Sequence, residues 1–245
     1  MMKLNYRNIE SPASETTIIF LHEGLGCIEM WRDYPEKLCK ATSCKGIVYD
    51  RSGYGKSPGT LVDRKFDYLH LAAYELHEVV EYFNLKDFIL YGHSDGGSIA
   101  LIYAGLFSDK PRAVITEAAH AFNEAVTIKG VLQARPLLEE GKMEGLKKYH
   151  GERFVEVFYA WNNIWISDSF KNWSIESELR KVSVPNLIIQ GKNDQYGTLR
   201  QVEQICQLTK GESQSLKVSN CGHAPYKEQT KEVLNCSIKF INELN

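Results

Sequence analysis

The pentapeptide Gly92-His93-Ser94-Asp95-Gly96 constrains this chain more than any other stretch. An apolar run, Phe88-Ile89-Leu90-Tyr91, leads into it, and the small and apolar run from Gly97 to Ala104 leads out. The first reads as a buried strand and the second as a helix, so the pattern is G-x-S-x-G on a strand-to-helix turn. A turn that sharp holds its central serine in a strained backbone conformation and projects the hydroxyl from the sheet edge. Glycines flank it because the strand and helix backbones nearly touch there. A serine hydroxyl is a poor nucleophile by itself and needs a base within hydrogen-bond reach.

Candidate partners follow in the chain. Asn186-Leu187-Ile188-Ile189-Gln190-Gly191 reads as a buried strand with Asp194 just beyond it, and His223 lies in a loop before a C-terminal helix. Ser94, Asp194 and His223 are about 100 and about 30 residues apart, so only tertiary folding can join them. In that order they suit a nucleophile elbow, with His223 as the base and Asp194 fixing its tautomer. A rival acid is Glu117, at the end of another strand-like run.

Strands are expected at 17–21, 45–49, 87–91, 112–117, 185–190 and 214–218, and helices at 30–41, 66–84, 96–107, 198–208 and 229–243. Strand alternating with helix implies an α/β fold, a mostly parallel sheet covered on both faces. The pattern changes between Ala118 and about Ser183, a helix-forming segment that holds Trp161, Trp165 and Trp173, three of the four tryptophans.

The chain resembles the α/β-hydrolases over most of its length. His22-Glu23-Gly24-Leu25-Gly26, after the strand Ile18-Ile19-Phe20-Leu21, is similar to the family's H-G oxyanion segment. Asp50-Arg51-Ser52-Gly53-Tyr54-Gly55-Lys56-Ser57 is similar to its D-x-x-G-x-G-x-S turn. With the elbow, the Gly191–Asp194 segment and Gly222-His223, five landmarks stand in the family's order. The resemblance implies an α/β-hydrolase core over 1–117 and 184–245, with a small helical lid, 118–183, inserted after the sixth strand. It also implies an oxyanion hole of two backbone N–H groups, from Asp95 and Gly24, with Leu25 as fallback. Leu25, His120, Trp161 and Trp165 are the candidate pocket lining, since substrate sites are mostly apolar walls with few polar groups.

Two positions depart from the family pattern, because Glu23 replaces the usual glycine and Asp95 follows the nucleophile. Carboxylates pointing unpaired into an oxyanion hole would oppose the developing charge. The expectation is that they turn away to loop partners; the alternative is that they select a cationic or hydroxyl-bearing substrate. Arg51 is a candidate partner for one of them, or else pins the Asp50 turn. His22 is expected to hydrogen-bond its own loop, His93 to point away from the nucleophile, and Asp168 to be a solvated helix cap. No metal site is expected, because His22, Glu23, Asp95 and His120 lack ligand spacing.

Bulk properties narrow the function classes. A net charge of −2 argues against a dedicated nucleic-acid binder. The longest apolar runs are strand-length, so no membrane span is expected, and Met1 to Asn8 lacks the apolar core of a signal peptide. Six cysteines without C-x-x-C spacing read as free thiols of a cytoplasmic chain. The reading is a cofactor-independent serine hydrolase for a small-molecule ester, thioester or lactone. The alternatives are a carbon–carbon hydrolase of ring-cleavage products and a non-catalytic receptor on the same fold.

Overall fold

The computed structural model describes residues 3–11, 15–61, 64–107 and 110–244, so the first two residues of the N-terminal stretch lie outside the described residues. Seven strands form one sheet: β1 Tyr6–Ile9, β2 Thr17–Leu21, β3 Lys45–Tyr49, β4 Phe88–His93, β5 Ala113–Glu117, β6 Asn186–Gly191 and β7 Ser213–Val218. Their order is β1-β3-β2-β4-β5-β6-β7. Only β1 runs antiparallel, pairing Tyr6 with Tyr49 at the sheet edge. Its four residues alternate between exposed and half-buried, too short and too polar a run to stand out as a strand in the sequence.

Period-two alternation sends successive side chains to opposite faces. In β2, Ile19 and Leu21 join the apolar cluster on one face, while Ile18 and Phe20 join that on the other. Each such fully buried side chain contributes about 1.5–3 kcal/mol. The helices α1 Tyr34–Thr42, α2 Tyr68–Tyr82 and α3 Asp95–Leu106 alternate with the strands. Helix α3 is buried from Asp95 to Ala104, which explains its small and apolar composition: sheet, α2 and the inserted segment enclose it.

That segment follows β5, the fifth strand in this chain rather than a sixth, and contains α4 Ala125–Glu139, α5 Lys147–His150, α6 Phe154–Trp165 and α7 Glu176–Leu179. Within it Trp165, Phe170 and Trp173 pack on one another, with Phe170 and Trp173 stacked 5.0 Å apart. Arg153 ties the segment to the core by donating to the carbonyls of Gly55, Ser57 and Gly59. After β6 come α8 Arg200–Leu208, then β7, then α9 Pro225–Glu228 and α10 Thr230–Asn242. Among the described residues, no helix is long and apolar enough to cross a membrane, and the six cysteines are free.

Candidate active site

Strand β4 delivers Ser94 at φ 53° and ψ −118°, in the left-handed region that non-glycine residues avoid. Such a conformation costs on the order of 1–3 kcal/mol and persists only when its surroundings enforce it. Here the Ser94 N–H donates to the Glu117 carbonyl at 2.8 Å, and the Ser94 carbonyl accepts from the Ser98 N–H at 3.1 Å. A Cβ on Gly92 would collide with the Gly96 carbonyl, and one on Gly96 with the Leu21 carbonyl. The glycine spacing therefore follows from strand–helix contact.

His223 lies in the loop between β7 and α9, and its Nε2 is 2.9 Å from Ser94 Oγ. Its Nδ1 is 2.9 and 2.8 Å from Asp194 Oδ1 and Oδ2. Since the carboxylate only accepts, Nδ1 carries the proton and Nε2 is free to accept from the serine hydroxyl. Asp194 also receives the Gln190 Nε2 amide at 2.6 Å and the Tyr196 N–H at 2.8 Å. Burial would raise its carboxyl, but adjacent His223 and these donors hold it below the ordinary carboxylate range. Burial likewise opposes charge on His223, and Asp194 overrides it, raising the imidazole above its ordinary value.

The loop bearing His223 has its own support. His93 Nε2 donates to the His223 carbonyl at 2.7 Å. Burial and the neighbouring His223 push the His93 pKa down to about 3, so it stays a neutral strut pointing away from the serine hydroxyl. Glu117 does not meet His223; it receives the Tyr91 hydroxyl at 2.6 Å and the Tyr226 N–H at 2.7 Å.

Gly24 and Asp95 lie next to each other. A Cβ on Gly24 would sit 3.2 Å from Asp95 Oδ2 and would strike the Trp161 ring, so glycine there admits the indole. Among the described residues, the backbone N–H groups of Gly24, Leu25 and Asp95 have no acceptor. The Asp95 carboxylate is fully buried and turns toward the Tyr68 hydroxyl at 3.2 Å and the Arg51 guanidinium at 3.7 Å. Arg51 also donates to the Glu23 carbonyl at 2.8 Å, so it serves both departures from the family pattern, though it meets Glu23 through the backbone. The Asp50 turn is held without it, by the N–H groups of Ile28 and Lys56 and the Asn5 amide. His22 donates to the Glu23 carbonyl and accepts from the Arg51 N–H, and burial keeps it neutral.

Of the remaining aromatic candidates, His120 is buried with its ring 4.9 Å from Trp165 and 5.9 Å from His223. Tyr196 stands edge-on to both His223, at 4.8 Å, and Trp161, at 5.9 Å. Asp168 is solvated as expected but sits in the first turn of a short 3-10 helix, paired with Lys171, while Ser167 takes the cap position.

Three further residues of the site went unmarked in the sequence. His150, from α5, accepts from the Gly55 N–H at 3.1 Å and donates to the Leu25 carbonyl at 2.9 Å, clasping two loops of the core. Tyr54 donates to the Gly24 carbonyl at 3.0 Å, and Arg64 donates to the Tyr54 hydroxyl. None carries a periodic or motif signal, because each acts across long sequence separations. Cys27, Glu29 and Asp50 bring possible metal-ligand atoms within 4.8 Å of one another. Their bonds are already committed: Glu29 pairs with Lys56, Asp50 is held by backbone N–H groups, and burial pushes the Cys27 thiol up to about 12.

Comparison with known proteins agrees with the architecture. A proline iminopeptidase of Saccharolobus solfataricus is 25% identical, covering 99% of this chain and 90% of its own. An alpha/beta hydrolase enzyme from a Medee basin deep-sea metagenome library superimposes with a TM-score of 0.79 at 14% identity, covering 98% of this chain and 94% of that one. An esterase from Exiguobacterium antarcticum superimposes with a TM-score of 0.75 at 19% identity, covering 98% and 95%. The family model for the alpha/beta hydrolase fold matches residues 16–167, which span β2 through α6 and include the elbow, and the chain belongs to that family as a hydrolase.

Proposed function

We propose that the protein is a serine hydrolase that cleaves a small carboxylic ester through an acyl-enzyme. The observation that carries this reading is the hydrogen-bonded line from Ser94 Oγ through His223 to Asp194, at 2.9 Å and 2.8 Å. His223 Nε2 takes the serine proton as Oγ attacks the ester carbonyl, and the tetrahedral oxyanion lies against the N–H groups of Asp95 and Gly24. The imidazolium then protonates the departing alkoxide. Water, deprotonated by the same nitrogen, attacks the acyl-enzyme and frees the acid and Ser94. Asp194 stabilises the imidazolium in both halves. Each oxyanion donor is worth on the order of 3 kcal/mol in such sites. Segment 118–183 acts as a lid, with Trp161 closing over Gly24.

The test is turnover of p-nitrophenyl esters of increasing chain length, with fluorophosphonate labelling of wild type and Ser94→Ala. Wild type should turn over with a chain-length optimum and label at Ser94. Ser94→Ala should fold normally, fail to label and lose on the order of 10⁴- to 10⁶-fold in kcat. Absence of both labelling and turnover in wild type would overturn the reading.

A second reading, amide hydrolysis next to an N-terminal amine, is favoured by Glu23. Its carboxylate has no partner among the described residues and lies close enough to support the charged form of His223. It would receive the ammonium of an aminoacyl group, the substrate type suggested by the name of the iminopeptidase relative. Proline p-nitroanilide cleavage that weakens in Glu23→Gln through KM would establish this reading.

A further inference from the structure

A second buried polar corner shares Asp95 and the Gly24 loop with the candidate active site. Two guanidiniums flank the Tyr54 ring, Arg51 at 4.6 Å and Arg64 at 5.2 Å from its centroid, and Arg64 also lies 4.8 Å from that of Tyr68. Arg51, Tyr54, Arg64 and Tyr68 line a cavity of about 430 Å³, with Lys65 and Glu75 beside them. Among the described residues, Arg51 Nε and Arg64 Nη1 are buried donors without an acceptor. The Arg51 side chain is only 4% exposed.

Unpaired guanidinium N–H groups are expensive to bury, because they forfeit hydration without a replacement bond. Two cations around one ring also repel. Asp95 offsets part of this charge at 3.7 Å from Arg51. Glu75 offsets less, since burial pushes its carboxyl up to about 7, so only part of it is ionised at neutral pH. The corner therefore holds surplus positive charge at the wall of an accessible cavity, with two unpaired donors buried just behind it. A planar guanidinium fork suits carboxylate and phosphate oxygens above other acceptors.

We propose that this cavity binds a small carboxylate- or phosphate-bearing anion between the guanidiniums of Arg51 and Arg64. The anion would offset the unbalanced guanidinium charge, and the side chains would turn slightly to present Arg51 Nε and Arg64 Nη1, now buried without acceptors, to its oxygens. Because Arg51 also holds the Glu23 carbonyl and the Asp95 carboxylate, an occupant would bear directly on the loop that carries Gly24. The anion has two conceivable sources, a substituent of the substrate itself or a free ion acting from the side.

Binding is tested first by thermal unfolding with increasing inorganic phosphate or succinate at constant ionic strength. In wild type the midpoint should rise by several degrees and saturate. Arg64→Leu should abolish the rise, and Arg64→Lys, which keeps the charge but loses the fork, should retain part of it. Arg64→Leu removes one of two facing cations and should fold; if it does not, Arg64→Lys alone still reads the weakening. Equal rises in all three proteins, or none in wild type, overturn the site.

The source is then read from turnover of p-nitrophenyl hemisuccinate against p-nitrophenyl butyrate. A substrate-borne anion predicts that Arg64→Leu raises KM for the hemisuccinate at least tenfold more than it raises KM for butyrate. A free anion predicts that phosphate alters butyrate turnover in wild type and not in Arg64→Leu. The binding readout stands apart from catalysis: saturable binding that depends on Arg64, without cleavage of either ester, keeps the site and removes the esterase reading.

Discussion

The ends of β5 and β6 invite comparison, because these neighbouring parallel strands each deliver one buried carboxylate to the same end of the sheet. Glu117 closes β5, and Asp194 follows β6 by three residues. Burial acts on both in the same direction, toward the neutral acid. Asp194 nevertheless stays below the ordinary carboxylate range, whereas Glu117 rises to about 7. The difference lies in the partners. Asp194 faces His223, which can carry a positive charge, while Glu117 receives a phenol and a peptide N–H, both neutral. Two carboxyls that burial pushes in one direction thus become an acid suited to stabilising an imidazolium and one suited to pinning a loop.

Exchanging each carboxylate for its amide puts that contrast under the greatest stress. Asp194→Asn should lower kcat on p-nitrophenyl esters by about 10⁴-fold, because the amide favours the wrong imidazole tautomer. Glu117→Gln should change it by less than about tenfold, since the carboxylate reaches the site only through the Tyr226 backbone, and the bond to Ser94 is made by the Glu117 backbone carbonyl, which the substitution keeps. The reverse ranking would move the orienting acid from β6 to β5.

The pH profile sharpens the comparison with a smaller effect. His223 must be neutral to accept the serine proton, and Asp194 raises its pKa above the ordinary 6.5. Wild-type kcat/KM should therefore climb with pH through an inflection above 6.5. In Asp194→Asn the opposing effect of burial loses its main counterweight, leaving only the smaller contributions of Glu23 and Asp95, so the residual activity should show its inflection lower. An unmoved inflection would mean that another group sets the charge of His223. Stability runs the opposite way for this group: a raised histidine pKa favours the fold at low pH, and the benefit fades as pH rises through the folded value.

Much of this arrangement was legible in the sequence because it rests on local necessity. The elbow requires Gly92 and Gly96 wherever strand and helix backbones touch, and α3 requires small apolar residues because it is enclosed. Both leave marks within a few residues. Edge strand β1 left none, being short and half-exposed. Nor could the sequence assign Arg51 to both Asp95 and the Glu23 loop, or reveal His150 and Arg64, whose partners lie from 10 to 125 residues away along the chain. Chain order favoured Asp194 over Glu117 as the acid, but both follow apolar runs, so the local sequence around each gives no distinction. In the structure what separates them is the partner that arrives opposite: His223 for Asp194, Tyr91 and Tyr226 for Glu117.

The smallest expected effect is on stability, and it tests the Glu117 side of the comparison. An acid held near 7 in the fold, against an ordinary 4.5, binds its proton more tightly folded than unfolded. Below pH 4.5 both states are protonated and the preference is fully expressed. Above it the unfolded chain ionises first, so stability falls until the folded acid also ionises near 7, by about 3 kcal/mol at most. Glu75, also pushed up to about 7, adds a fall of the same sign. Glu117→Gln removes one of the two, so its unfolding midpoint should decline less steeply than wild type between pH 4.5 and 7. Below pH 7 the protonated acid and the amide each carry one donor too many for the pair, which the Tyr91 hydroxyl can accept by donating to Tyr34 instead; the amide's second N–H is the one left without a partner, which costs about 1–3 kcal/mol. The variant should therefore be the less stable protein at pH 5 and approach wild type at pH 7. Parallel curves would mean that Glu117 ionises in the fold as it does in the open chain, and the two strand ends would then differ in partner but not in charge.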